Sequence, residues 1–232
     1  MAEVSASELT RVLTGNREAF AKFVGKYFAD DYTGSHFEFF AGRGDNNETK
    51  DKFTYADVFA PNFLSRAVPA QLGYRLVEGE LAEKASQVLA RIPVNKSLHE
   101  YSTNPLNGEP LALWKIVLDG SDRVVTTSKL LARKRPHLLP VLDSVLQEAL
   151  VQGKKGRCDH YFQLFRDENL VKELEELQGK AASLQPNFPK IAELSLLRVL
   201  DIALWMEHRP AVFGTDIEKK QHSTNCLLTY LR

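Results

Sequence analysis

The 232-residue chain sets thirty lysines and arginines against thirty aspartates and glutamates, so no net field draws it to nucleic acid or to an anionic membrane. With 44% hydrophobic and 26% charged residues, its composition is globular and supports a substantial core in one domain, residues 1–232. No apolar run approaches the roughly twenty residues that span a bilayer, no secretory leader is legible at the start, and only Cys158 and Cys226 occur, which together predict a reducing cytoplasm.

In chain order, Ser7 is an N-cap candidate and Gly15-Asn16 a break, after which Phe20, Phe23, Val24, Tyr27 and Phe28 recur at helical spacing. Aromatics crowd from Tyr32 to Phe40 around Gly34 and Ser35, which predicts a short strand or an extended wrap. Gly42 to Glu48 is polar and rich in turn formers and reads as an exposed loop. Thr54, with Asp57 three residues on, predicts a capping box opening a helix to about Ser65.

From Pro69 to Arg91, Leu72, Leu76, Leu81, Ala85, Val88 and Leu89 make a helical stripe interrupted by Gly73 and Gly79. Residues 93–110 form a loop. Leu111 to Leu118 and Thr126 to Arg135 are two helices joined by a short connection, hence a helical hairpin. A helix from about Leu139 or Leu142 to Val151 follows the turn bracketed by Pro136 and Pro140, and further helices are predicted over Asp159–Phe165, Glu168–Leu177 and Pro189–Glu207. The predicted class is mainly α, with at most a small β element near 32–40.

The histidines are scattered, with no HExxH and no CxxC, so neither a metal nor a cofactor is expected. Arg198 and Asp201, three apart on a leucine-lined helix, read as a structural ion pair. The strongest charge asymmetry lies at Arg123, Lys129, Arg133, Lys134 and Arg135, with no acid between Arg123 and Asp143. Helical spacing puts Leu130 and Leu131 toward the core and Lys129, Arg133 and Lys134 outward. Such a stripe, with Thr126 and Thr127 at the helix start, would meet phosphates; the plainer alternative is a solvated basic face. Asp143 reads first as an N-cap worth about 1 kcal/mol, a position compatible with activating water.

The succession of apolar helix, Gly120 turn, Thr126-Thr127-Ser128 helix and Pro140-Val141-Leu142-Asp143 resembles the helix-hairpin-helix DNA glycosylases. The resemblance implies a hydrolase that docks on DNA phosphates through Arg123, Thr126, Thr127, Lys129, Arg133, Lys134 and Arg135, with Asp143 assisting base departure. The flipped base would need a pocket, for which Phe37, Phe39, Tyr101 and Trp114 are the candidates. The family's hairpin glycines are reduced to Gly120, and its lyase lysine falls at Val125, so the implied enzyme is monofunctional. Over nearly the whole chain, Tyr32-Thr33-Gly34, Leu130-Leu131-Ala132-Arg133-Lys134-Arg135-Pro136 and Leu196-Leu197-Arg198-Val199-Leu200-Asp201 resemble uncharacterised, chiefly actinobacterial proteins of the domain of unknown function 6308 type, which implies no activity. Two further readings stand beside the glycosylase: a non-enzymatic helical protein-interaction domain, and a small-molecule enzyme using the Gly42–Asn47 loop.

Overall fold

The computed structural model describes residues 3–29, 32–151 and 158–208. Among them the fold is mainly α, with short 3-10 turns and no strand. It divides into two compact units, one formed by the residues up to Asp30 together with those from Asp143 onward, the other by Asp31–Leu142.

In chain order, the first unit opens with α1 (Ala6–Gly15) and α2 (Arg17–Ala29). The middle unit carries α3 (Tyr55–Phe59), α4 (Ala70–Val77), α5 (Glu80–Leu89), α6 (Glu109–Leu118) and α7 (Val124–Lys134). The chain then returns to the first unit with α8 (Ser144–Val151), α9 (Cys158–Leu164), α10 (Glu168–Leu184) and α11 (Leu196–His208).

In the first unit α2 packs on α10 and α11, α1 on α10, and α8 on α11. The buried stripes Leu9, Val12, Leu13 of α1 and Leu170, Leu174, Leu177, Ala181 of α10 supply its core, each buried leucine contributing about 1.5–3 kcal/mol of transfer energy. Arg17 holds α10 through a two-pronged pair with buried Glu173, Nε–Oε1 2.7 Å and Nη2–Oε2 2.6 Å, and Thr14 donates to the same carboxylate. Arg198 pairs with Asp201 and donates to Tyr27 Oη at 2.7 Å, so the sequence expectation of a buried structural pair holds.

The middle unit stacks α4 on α5, α5 on α6, α6 on α7 and α3 on α7. The expected hairpin is present: α6 ends at Asp119 and Gly120, both at positive φ (51° and 68°), and α7 begins four residues later. The Pro69–Arg91 stripe is two helices rather than one, because Gly79 lets the chain turn so tightly that a Cβ there would meet the Arg75 backbone at 2.7 Å.

Other boundaries moved for local reasons. The first N-cap is Ser5, whose capping box with Glu8 preempts Ser7, whereas Thr54 and Asp57 form the box expected of them. Residues 32–40 wind into 3-10 turns at Thr33–His36 and from Phe40 instead of extending. The 93–110 loop contains two more such turns. The last predicted helix is a 3-10 turn, Pro189–Glu193, followed by α11. Cys226 and His222 lie outside the described residues.

Candidate functional site

Helix α7 has no solvent face. Lys129, Leu130, Leu131, Arg133, Lys134 and the following Arg135 are all buried, so the outward basic stripe expected from periodicity is instead the middle of a unit. The cause is a supply of acceptors. The Lys129 ammonium donates to Leu64 O at 2.8 Å. The Arg133 guanidinium donates to Phe37 O at 2.6 Å, Glu38 O at 2.7 Å and Phe40 O, and faces Asp57 at 3.3 Å. Lys134 reaches Gly44 O, Thr49 O at 2.8 Å and Asp57 Oδ2 at 3.1 Å. Arg135 satisfies Leu89 O and Ile92 O at the end of α5, together with Lys50 O and Asp51.

Burial pulls the pKa of Arg133, Lys134 and Arg135 below their ordinary ranges, with the carboxylates of Asp57 and Asp51 pulling the other way. Carbonyls take the place of water around charges that would otherwise be costly to bury.

These donors organise a strained loop. Ala41 (φ 49°) and Arg43 (φ 74°, ψ 158°) flank Gly42 (φ 77°), and a non-glycine residue in such a region costs about 1–3 kcal/mol. Contrary to the expected exposed loop, Gly44 is buried, and a Cβ on it would meet Arg133 O at 2.6 Å and Asp57 Oδ1 at 2.7 Å. The backbone bend aims Arg43 at Asp45 in a two-pronged pair, 3.0 and 3.1 Å, over the Phe39 ring. Half-buried His137 has its pKa lowered by burial first, with Asp45, Arg43, Glu100 and His99 in its field.

The remaining residues singled out from sequence occupy separate surroundings. Arg123 is exposed at the hairpin, while Thr126 and Thr127 are buried. Phe37 is core, packed with Ala60, Ala132 and Val141. Phe39 lies half-buried under Arg43, Tyr101 lies half-buried beneath the Lys96 ammonium at 4.0 Å, and Trp114 is half-buried on α6.

Asp143 does cap α8: one oxygen, Oδ1, accepts from Val145 N at 2.9 Å and Leu146 N at 3.0 Å. The preceding residue is clamped to α7, since Ser128 Oγ accepts from Leu142 N at 3.0 Å and donates to Leu142 O. Oδ2 has no hydrogen-bond partner among the described residues.

A feature that periodicity did not flag is an aromatic face on the middle unit. Tyr55, Phe59 and Tyr74 are 50–55% exposed. Phe59 packs against Phe40 and Phe63 with centroids 5.4 and 5.5 Å apart, Phe40 meets Phe63 at 5.1 Å, and His36 tilts onto Phe63 at 5.5 Å. Its signal in the sequence is Tyr55, Phe59 and Phe63 at intervals of four, one helical face that is wholly aromatic. Tyr55 is anchored by donating to Glu78 at 2.6 Å.

Among the described residues no cluster of His, Cys, Asp and Glu has the arrangement to hold a metal ion, and no helix is long and apolar enough to cross a membrane. A family described as one of unknown function, DUF6308, matches residues 20–208, so the chain belongs to it. No curated protein and no solved structure matches the chain.

Proposed function

We propose that this member of DUF6308 is a non-enzymatic interaction module that docks a protein partner through the face of Tyr55, Phe59, Phe63, Tyr74 and Phe40. The single observation carrying this reading is the half exposure of Tyr55, Phe59 and Tyr74 on a frame whose loops are pinned by buried Arg133 and Lys134. Large amphipathic rings held rigid lose little side-chain entropy on binding and are the residue types that anchor protein interfaces. A photo-crosslinking side chain in place of Phe59 tests it in an extract of the source cell, with exposed Lys84 as the control position. A discrete crosslinked partner from position 59 alone is expected; the same background from both positions would contradict the reading.

A second reading rests on the uncommitted Asp143 Oδ2. A carboxylate fixed at a helix start by one oxygen has the other available to take a proton from water, which supports base excision from DNA of the helix-hairpin-helix kind. In this reading the phosphate contacts fall to exposed Arg123, while Lys129, Arg133, Lys134 and Arg135 serve as framework. Duplexes carrying a panel of damaged bases decide it. Wild-type protein should release a base, Asp143→Asn should not, and Arg123→Ala should flatten the salt dependence of binding by about one unit. Absence of any released base across the panel would sink this reading.

A further inference from the structure

The acidic end of α4 lies against the aromatic face. Helices α3 and α4 touch so closely that a Cβ on Gly73 would meet the Val58 side chain at 2.7 Å. Beside that contact Tyr55 and Phe59 stand one turn apart on α3. Tyr74 and Glu78 stand one turn apart at the end of α4, where Glu78 N donates to Tyr74 O at 2.9 Å. Tyr55 Oη donates to Glu78 Oε1 at 2.6 Å and ties the two helices together. All four residues are exposed, the three aromatic ones by 50–55%.

Glu78 occupies an unfavourable place. The last carbonyls of a helix carry negative partial charge, so its C-terminus favours a cation and repels a carboxylate. Arg75, the basic residue of that last turn, is committed to Glu80 and Asp119. Lys52 and Arg66, exposed before α3 and after the Ala60–Leu64 turn, do not pair with Glu78. Among the described residues Glu78 forms no ion pair, and its carboxylate accepts only from the Tyr55 hydroxyl. That bond raises the Tyr55 phenol above its ordinary pKa, so the phenol keeps its proton and orients the carboxylate without neutralising it.

A carboxylate, the negative end of a helix and the electron-rich faces of exposed rings therefore meet in one patch, and each attracts positive charge. A planar guanidinium suits all of them, because it stacks on a ring while its N–H fork donates to a carboxylate. An ammonium is a compact, strongly hydrated charge without that plane.

We propose that this patch receives an arginine from a basic segment of the partner, its guanidinium stacked on the exposed rings and donating to Glu78. The proposal rests on the docking reading above and names the chemistry of its partner.

The probes are an arginine–glycine peptide and its counterparts with lysine or with citrulline, which keeps the shape of arginine and loses the charge. Binding to the full chain is followed through the ring proton resonances of Tyr55, Phe59 and Tyr74. The arginine peptide should shift all three saturably, and each counterpart should bind at least about threefold more weakly. Glu78→Gln should weaken arginine binding about tenfold, while Glu175→Gln, which removes an exposed acid of α10, should leave it unchanged. Rings that do not respond to arginine, a citrulline or lysine peptide that binds as tightly, or wild-type affinity in Glu78→Gln would each overturn the proposal. The comparison of the three peptides needs only the wild-type protein, so it stands even if a variant folds poorly. The two readings also fail separately. Photo-crosslinking from position 59 that captures the same partner equally in wild type and Glu78→Gln keeps the docking and discards the arginine. Ring shifts with the arginine peptide, together with no discrete partner from position 59, keep the cation site and discard the docking.

Discussion

Asp57 carries more than its cap. It closes the box at Thr54 and is the one buried acid of the middle unit among the described residues, facing both Arg133 and Lys134. Removing one partner of a buried pair leaves the other charge uncompensated, which costs about 3–5 kcal/mol. Asp57→Ala should lose at least that much in urea unfolding, the cap adding about 1 kcal/mol. At Gly44 the space for a methyl group is taken by Arg133 O and Asp57 Oδ1, so Gly44→Ala should cost about 1–3 kcal/mol by overpacking, read from the same transition.

Glu173 sets a pH dependence in the first unit. Burial raises its pKa, but the hydrogen bonds from Arg17 and Thr14 prevail and hold the carboxyl below its ordinary value. A depressed carboxyl contributes stability above its unfolded pKa and loses it as pH falls through the folded one. Unfolding free energy should therefore decline as pH drops below the ordinary carboxylate range, and Glu173→Gln should flatten that decline. An equally steep acid limb in the variant would count against it.

At the scale of elements, what was legible in the sequence was local. The Thr54–Asp57 box, the Gly15-Asn16 break, the α6–α7 hairpin and the Asp143 cap all arise from residues within a few positions of one another. The orientation of α7 was not legible, because the groups that bury its cations lie 76 to 96 residues earlier for Arg133. Periodicity assumes that a charged residue seeks water, and backbone carbonyls from a distant loop replaced water here. The aromatic face was not singled out from the sequence either: exposure is decided by what packs nearby, and the surroundings of Tyr55, Phe59 and Tyr74 leave them half exposed. At α8, Asp143→Asn should change stability by only a few tenths of a kcal/mol, while Asp143→Ala should cost about 1 kcal/mol, a contrast that thermal unfolding resolves.

At the scale of the molecule, net neutrality conceals a segregation of charge by depth among the described residues of the middle unit, where four cations and one acid are buried. The middle unit keeps its concentrated cations inside, as hydrogen-bond donors to the 37–52 backbone and to the end of α5, and presents aromatic rings outside. That arrangement links the strained loop at Ala41–Arg43 to the aromatic face, since Arg133 grips the carbonyl of Phe40 while the Phe40 ring packs on Phe59. The most direct measurement is acylation of lysines in the native chain, followed by mass spectrometry. Lys129 and Lys134, 4% and 0% exposed, should react far more slowly than exposed Lys22, Lys84 and Lys115, and should reach the same rate only in denaturant. Labelling of Lys134 in the native protein as fast as Lys84 would contradict the buried framework and return the basic stripe to the surface.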